Sequence, residues 1–136
     1  MRKRLGDLLV ESGLITEDQL SKALEEKLPE EKLGDTILRE GYITEQQLIE
    51  VLEFQLGVPH INLHQYAIDQ DVIQLVPKDL AKRYQLMPVR TEDNQLFVAM
   101  ADPMDYFAIE ELRMVTGYQI VPAIATKDDL QRTIAK

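Results

Sequence analysis

Two consecutive segments of the chain are copies of one another, and this duplication limits how the first part of the sequence can fold. Residues 4–27 read RLGDLLVESGLITEDQLSKALEEK, and residues 32–55 read KLGDTILREGYITEQQLIEVLEFQ. The copies align without a gap at an offset of 28 residues, and 11 of their 24 positions are identical. A repeated unit of this size usually buries its apolar face against its neighbour. The sequence therefore predicts two similar units that share a core.

Each copy has the sequence pattern of a helical hairpin. A short apolar stripe leads to Gly13 in the first copy and Gly41 in the second, where a left-handed residue that ends a helix is most easily glycine. Thr16 and Thr44 follow, each with glutamine three residues later, which is the capping box that begins a helix. A second apolar stripe at helical spacing completes each copy. The leucines of both stripes are predicted to be core.

A Leu-Gly pair preceded by a basic residue opens the first helix of each copy: Arg4, Leu5 and Gly6, then Lys32, Leu33 and Gly34. Glycine within a helix costs roughly 0.5–1 kcal/mol relative to alanine, so its recurrence indicates that another group approaches the backbone. That group is either another helix or a ligand. Unpaired N–H groups beside a basic side chain suit an anion or a nucleobase. The alternative is that Asp7 and Asp35 simply cap these helix starts.

After residue 57 the pattern changes to short apolar runs separated by polar turns. Helices are expected at 69–75, 77–84, 102–116 and 127–135, strands at 60–63, 86–90, 95–101 and 119–125, and a hairpin loop at 91–94. This order favours a three- to four-stranded sheet with helices packed against it. We therefore predict an α+β chain, in which a bundle of tandem helical hairpins (residues 1–57) precedes a small α/β subdomain (residues 58–136).

The net charge of the chain limits the classes of partner that it can bind. The net charge is −9, which argues against nucleic acid as a partner, because phosphate binding needs a basic face. A small anionic ligand remains compatible with a local basic cluster, for which the candidates are Arg2, Lys3, Arg4, Lys27 and Lys32. No apolar run approaches the ~20 residues of a membrane-spanning helix, and no signal peptide is evident. A soluble, cytoplasmic protein is expected.

Catalytic patterns are weak throughout the sequence. The chain has no cysteine, no nucleophile elbow and no phosphate-binding glycine loop, so neither thiol chemistry nor ATP hydrolysis is expected from it. His60 and His64 lie in a loop segment without a carboxylate cluster, and we expect no metal there. Asp102 and Asp105 are interpreted as helix-capping residues rather than a catalytic pair.

The repeat also resembles a known motif. Both copies are similar to the 24-residue pattern RLG-x₂-Φ-Φ-x₂-G-Φ-Φ-x₄-L-x₃-L-x₂-Q, where Φ is aliphatic, which occurs twice in tandem in MshEN-type domains. These domains form the N-terminal part of bacterial type II secretion and type IV pilus assembly ATPases. The second half of the chain is similar to the same family in its segments VPHINL, DLAKRYQLMPVR and ADPMDYFAIEELRMVTGYQIVPAIAT.

The resemblance implies a binding site for cyclic di-GMP. In family members with intact motifs, each motif binds one half of this dinucleotide. The implied first half-site consists of Arg4, Leu5, Gly6, Leu20, Leu24 and Lys27. The implied second half-site consists of Lys32, Leu33, Gly34, Leu48, Leu52 and Gln55. This sequence departs from the motif at Lys27, which replaces glutamine, at Lys32, which replaces arginine, and at Tyr42, which replaces an aliphatic residue. An amide and a planar guanidinium are lost, so the resemblance leaves the affinity open.

Two roles follow from the resemblance. In the first, the chain is a non-catalytic domain that senses cyclic di-GMP and biases the ATPase core of the same polypeptide. In the alternative, it docks onto an inner-membrane platform protein of a secretion or pilus machine without binding nucleotide. Either role would place a cytoplasmic domain at the inner membrane through a partner, with no required cofactor.

Overall fold

The chain divides into two compact units, which are described separately. A computed structural model describes residues 4–136, and the division falls between Gly57 and Val58. The described part of the first unit contains four helices: α1 (Leu5–Glu11), α2 (Glu17–Glu26), α3 (Leu33–Arg39) and α4 (Glu45–Leu56). Each copy of the repeat thus forms one helical hairpin, as the sequence predicts.

The same local signals begin and end the helices of both copies. In α2, the backbone N–H of Gln19 donates to Thr16 Oγ1 (3.0 Å), and the backbone N–H of Thr16 donates to Gln19 Oε1 (2.9 Å). Thr44 and Gln47 form the matching pair at the start of α4. Gly13 and Gly41 adopt φ values of +80° and +76°. These residues confirm the predicted capping boxes and helix ends.

The two hairpins share one apolar core. Leu9 and Ile15 of the first copy are buried together with Ile37 and Ile43 at the equivalent positions of the second, and Ala23 is buried, whereas its equivalent Val51 is partly buried. Helix α1 packs against α2, α3 and α4. The prediction that all stripe leucines are core is wrong for Leu24, which is 56% exposed. Ala23 is fully buried, and Leu24 lies ~100° further around α2, at the edge of the buried face.

A polar network holds the linker between the copies. Glu31 accepts a bidentate pair from Arg39, at 3.0 Å from Nε and 2.9 Å from Nη2, and a hydrogen bond from the buried Thr36 hydroxyl at 2.7 Å. Arg39 Nη2 also donates to the backbone carbonyl of Glu26, the last residue of α2, at 3.2 Å. The Arg39 and Thr36 hydrogen bonds lower the pKa of Glu31 to about 2. The network therefore connects the end of α2, the linker and α3.

The second unit is a small sheet with helices packed against it. Its described elements are a 3-10 turn (Leu63–Gln65), α5 (Gln70–Ile73), α6 (Lys78–Tyr84), β1 (Leu86–Glu92), β2 (Gln95–Met100), α7 (Tyr106–Thr116), β3 (Gln119–Ile124) and α8 (Lys127–Ala135). Within this unit the strand order is β1-β2-β3, with β1 antiparallel and β3 parallel to β2. Helix α7 supplies the crossover that a parallel pair requires. The predicted α+β fold is confirmed.

Two strand predictions differ in extent from the structure. The segment expected as a strand at 60–63 contributes only an isolated bridge, in which the N–H of Ile61 donates to the carbonyl of Ile124 at 2.8 Å. The β1-β2 hairpin is tighter than expected, because Glu92 still pairs with Gln95. Asp93 adopts a φ of +55°, which aspartate tolerates better than most residues, so a two-residue turn suffices.

The core of the second unit lies on the sheet. Its fully buried members include residues of β1, β2, α7 and α8: Leu86, Leu96, Val98, Met100, Leu112 and Leu130. Gly117 ends α7 with a φ of +76°, and Thr126 caps α8 by accepting from the N–H of Asp129, both as predicted. Between residues 4 and 136, none of the helices has the length and apolar character needed to cross a membrane.

Glu31 makes the stability of the first unit depend on pH. The substitution Glu31→Gln should lower the melting temperature near neutral pH, and the difference from the unaltered chain should shrink as pH falls from 4.5 to about 2. In that window the unfolded chain binds a proton that the folded chain does not, so the stabilisation present above pH 4.5 is lost on acidification. Scanning calorimetry across this range measures the effect.

Glu30→Gln is the matched control, since Glu30 is an exposed neighbour of the same type. It should shift the melting temperature little at any pH. A deficit of Glu31→Gln that stays constant down to pH 2 would contradict the assigned role of this carboxylate.

Candidate functional site

The two Leu-Gly corners of the repeat lie against each other. A methyl group added at Gly6 would lie 3.4 Å from Leu33 Cδ2, and one added at Gly34 would lie 3.2 Å from Leu5 Cδ2. The leucine of each copy therefore packs over the glycine of the other. This reciprocal contact is the pattern of a two-fold interface formed within one chain. It joins the starts of α1 and α3 into one surface.

Leucines from the second helix of each copy complete this surface. Leu20 Cδ1 lies 2.7 Å from the ideal Cβ position of Gly6, and Leu48 Cδ2 lies 3.8 Å from that of Gly34. The four leucines at positions 5, 20, 33 and 48 pack on the core of the first unit, yet each is only partly buried. We define them as the leucine platform. A molecule that approaches the glycines meets these side chains first.

The close approach to the glycines is thus made by leucine side chains. The sequence left open whether a helix or a ligand required the missing side chains, and the structure places helix side chains there: Leu5 of the other copy at Gly34, and Leu20 of the same copy with Leu33 of the other at Gly6. Gly6 is buried and Gly34 is partly buried. Helices α1 and α3 have only seven residues each, so the charge at their starts is small. The glycines serve the packing of the copies, and the platform is the surface they create.

Basic residues stand at the helix starts beside the platform. Arg4 and Lys32 occupy the N-cap positions of α1 and α3 in extended conformation, and both are exposed. Neither forms a side-chain cap on its helix. Arg2 and Lys3, the other candidates of the basic cluster, lie outside the described residues. An anion bound on the leucine platform would therefore lie near one basic residue from each copy, at the start of α1 and at the start of α3.

The closing residues of the two copies differ. Lys27 ends α2, and its Nζ donates to the backbone carbonyl of Leu28 at 3.3 Å. Gln55 lies exposed in the last turn of α4. Leu24 is 56% exposed, whereas Leu52, at the equivalent position of the second copy, is only 3% exposed. The two implied half-sites are therefore related by the repeat but unequal in the surface they offer.

Three other polar residues weighed from the sequence, Asp102, Asp105 and His64, have partners in the structure. Asp105 accepts from the N–H of Ala108 at 3.0 Å and caps α7, as expected. Asp102 accepts from the N–H of Met104 at 3.0 Å in the turn that precedes Tyr106, the first residue of α7, so its expected helix-capping role is wrong. His64 Nε2 lies 2.6 Å from Asp129 Oδ1 and ties the 3-10 turn to α8. In the described part of the chain, no group of three or more His, Asp or Glu side chains is placed to hold a metal ion.

Comparison with known proteins shows the family to which the chain belongs. The MshEN domain model matches residues 56–136, which is more than half of the chain and includes the whole second unit. The chain belongs to the MshEN domain family. The tandem repeats of this MshEN domain lie entirely before the matched range, so their relation to the family rests on whole-chain comparisons.

Those comparisons cover both units. The type IV pilus assembly ATPase PilB of Myxococcus xanthus (strain DK1622) is 38% identical over 137 residues, an alignment that spans all of this chain and 24% of PilB. The MshEN domain thus corresponds to about a quarter of that relative. The structure of MshE with cdg, an abbreviation of cyclic di-GMP, superposes with a TM-score of 0.83 at 37% identity and covers 98% of each chain.

A more distant structure shares the fold. The N-terminal domain of XpsE superposes with a TM-score of 0.80 and covers 99% of this MshEN domain and 97% of the XpsE chain. The sequences are 22% identical, so this likeness establishes the architecture alone. The arrangement of tandem hairpins followed by a small α/β unit is therefore common to proteins that differ at most positions.

The crowding above the two glycines predicts different responses to alanine. Alanine is favoured over glycine within a helix by roughly 0.5–1 kcal/mol, and a methyl group at Gly34 needs a shift of only tenths of an ångström from Leu5. A methyl group at Gly6 would lie 2.7 Å from Leu20 and displaces that side chain. Gly34→Ala should therefore be neutral or stabilising in denaturant unfolding, and Gly6→Ala should be less stable than Gly34→Ala. Equal midpoints for the two variants would contradict the reported packing.

Proposed function

We propose that this MshEN domain is the N-terminal regulatory domain of a type II secretion or type IV pilus ATPase, and that it binds cyclic di-GMP across its tandem repeats. The observation that carries the proposal is the reciprocal packing of Leu5 on Gly34 and of Leu33 on Gly6. Because of it, two copies of one motif present a single surface. The likeness to MshE, whose structure was solved with cdg at 37% identity, supports the choice of ligand.

The chemistry of the ligand matches the repeated surface. Cyclic di-GMP consists of two identical guanylate halves closed into a ring, so a site built twice can meet each half with the same residue types. The leucine platform offers apolar contact to the flat bases, and binding sites commonly combine such walls with a few polar groups. Arg4 and Lys32 supply charge for the phosphates. Arg4 adds a planar fork that suits two phosphate oxygens at once.

The half-sites are expected to contribute unequally. The first combines Arg4 with Lys27 and an exposed Leu24, and the second combines Lys32 with Gln55 and a buried Leu52. The first copy therefore offers more apolar surface and two cations. The second retains the closing amide of the family motif. Binding of one ligand across both copies would bias the domain toward the conformation that holds them together, and an attached ATPase core would respond through that bias.

A second function, docking to a partner protein, is favoured by exposed apolar residues of the first unit. Phe54 is 85% exposed, and Leu24 and Leu28 are more than half exposed. Large apolar side chains in contact with water often belong to protein interfaces. The partner in this reading is the inner-membrane platform protein of the secretion or pilus machine. This role requires no nucleotide, and calorimetry separates it from the first.

Titration of the chain with cyclic di-GMP by isothermal calorimetry should show saturable binding, with GMP and ATP as controls that bind weakly. Arg4→Ala should weaken binding by roughly ten- to a hundredfold, since hydrogen bonds to charged groups contribute about 1.5–3 kcal/mol. Lys22→Ala is the matched control, because it removes the same charge from the face of α2 opposite Leu20 and Leu24. Its affinity should equal that of the unaltered chain.

Two results would overturn the nucleotide proposal. Flat heats at all ligand concentrations would leave docking as the function, and Phe54→Ser would then be the variant to test against a platform protein. Equal losses in Arg4→Ala and Lys22→Ala would show that net charge, rather than the surface at the repeats, governs binding.

Restoring the family motif should strengthen binding. Lys27→Gln returns the closing amide to the first copy, and Lys32→Arg returns the planar guanidinium to the second. Each change should tighten the dissociation constant about fivefold, the equivalent of about one hydrogen bond of ~1 kcal/mol. The same calorimetric titration measures both variants. Weaker binding in Lys27→Gln would show that Lys27 itself contacts the ligand and that the amide contact does not apply here.

A further inference from the structure

The second unit contains a cavity of about 600 Å³ that the proposed function does not use. It opens between α5, α6, β1 and the end of α8, and all of its lining residues belong to this unit. Sites for small molecules typically measure about 300–1,000 Å³. The cavity is therefore large enough for a compact ligand.

The floor of the cavity is apolar. Leu63, Val76, Met87, Pro88 and Ile134 line it, and all five are buried in the core of the unit or beside it. Tyr66, Ile68 and Ile73 add partly buried apolar surface around it. An aliphatic chain in the cavity removes from water its own apolar surface and the exposed parts of Tyr66, Ile68 and Ile73. The occupant should therefore have an apolar body.

No acidic side chain lines the rim of the cavity. Fifteen described residues line it and none is aspartate or glutamate, although 24 of the 136 residues of the chain are acidic. At that frequency, two or three acidic residues would be expected among fifteen. Two lysines, Lys78 and Lys136, are present instead, and no ion pair joins either of them to a carboxylate among residues 4–136.

We propose that this cavity binds a small amphiphilic anion, an aliphatic carboxylate whose chain lies on the apolar floor and whose headgroup lies at Lys78. The amide groups of Gln70 and Gln74 stand at the same rim and can donate further hydrogen bonds to a carboxylate. The lack of acidic residues at the rim favours an anion, and the apolar floor disfavours a compact inorganic ion. The site is distinct from the leucine platform, so either proposal can fail without the other.

Decanoate, decan-1-ol and decylammonium are suitable probes, because they share one chain length and differ in headgroup charge. Each is titrated as monomer into the ¹⁵N-labelled chain, and amide shifts are followed by NMR. Decanoate should produce saturable shifts at the amides of residues 73–76, 78–81, 87 and 133–136, around the cavity. It should bind roughly two- to fivefold more tightly than decan-1-ol, the gain expected for an exposed ion pair, and decylammonium should bind more weakly than either.

Lys78→Glu tests the headgroup position. It should reverse the order, so that decylammonium binds more tightly than decanoate, while decan-1-ol binds as before and reports that the cavity is intact. Lys82→Glu is the matched control, since Lys82 is exposed one turn further along α6 and does not line the cavity. That variant should keep the preference for decanoate.

Three outcomes would overturn the proposal. Shifts that do not saturate with decanoate, or that spread over the whole chain, would show that no built site exists. Equal affinity for the three probes would show an apolar groove without charge selection. A reversal in Lys82→Glu as large as that in Lys78→Glu would show a response to net charge alone. Binding of cyclic di-GMP at the repeats should be unaffected by decanoate in every case.

Discussion

The mutual packing of leucine on glycine between the two copies is the contact on which the first unit depends. The leucine of each copy packs over the glycine of the other, and at Gly6 Leu20 of the same copy approaches still more closely. Because each copy makes the same contact with the other, the two copies share one core and also form one continuous outer surface. The candidate site is therefore a product of packing, and any change that separates the copies removes both.

Much of the local structure could be predicted because its causes are local. The capping boxes at Thr16 and Thr44 and the left-handed glycines at 13 and 41 act within a few residues, so their signals are complete in the sequence. The order of helices and strands after residue 57 follows from similarly short patterns. The loop predicted at 91–94 is two residues longer than the turn in the structure, because four consecutive polar residues also suit a loop. Only the pairing of Glu92 with Gln95 shows where the two strands end.

What could not be predicted depends on contacts between distant residues. The repeat indicates that some group approaches Gly6 and Gly34, but only the packed structure shows that Leu20 and Leu33 approach Gly6 and that Leu5 approaches Gly34. The difference between Leu24 and Leu52 is invisible in the alignment of the copies, since both are leucine at the same position. The network of Glu31, Thr36 and Arg39 was also missed, because the first copy has Leu8 and Glu11 where the second has Thr36 and Arg39.

The Glu31 network gives the linker a mechanical property. Arg39 grips both the linker carboxylate and the last carbonyl of α2, so the five residues from Leu28 to Lys32 are anchored at both ends rather than loosely tethered. A segment anchored in this way keeps a fixed distance between the end of α2 and the start of α3. It fixes the end of α2 relative to α3, so the offset between the two copies belongs to the folded chain itself.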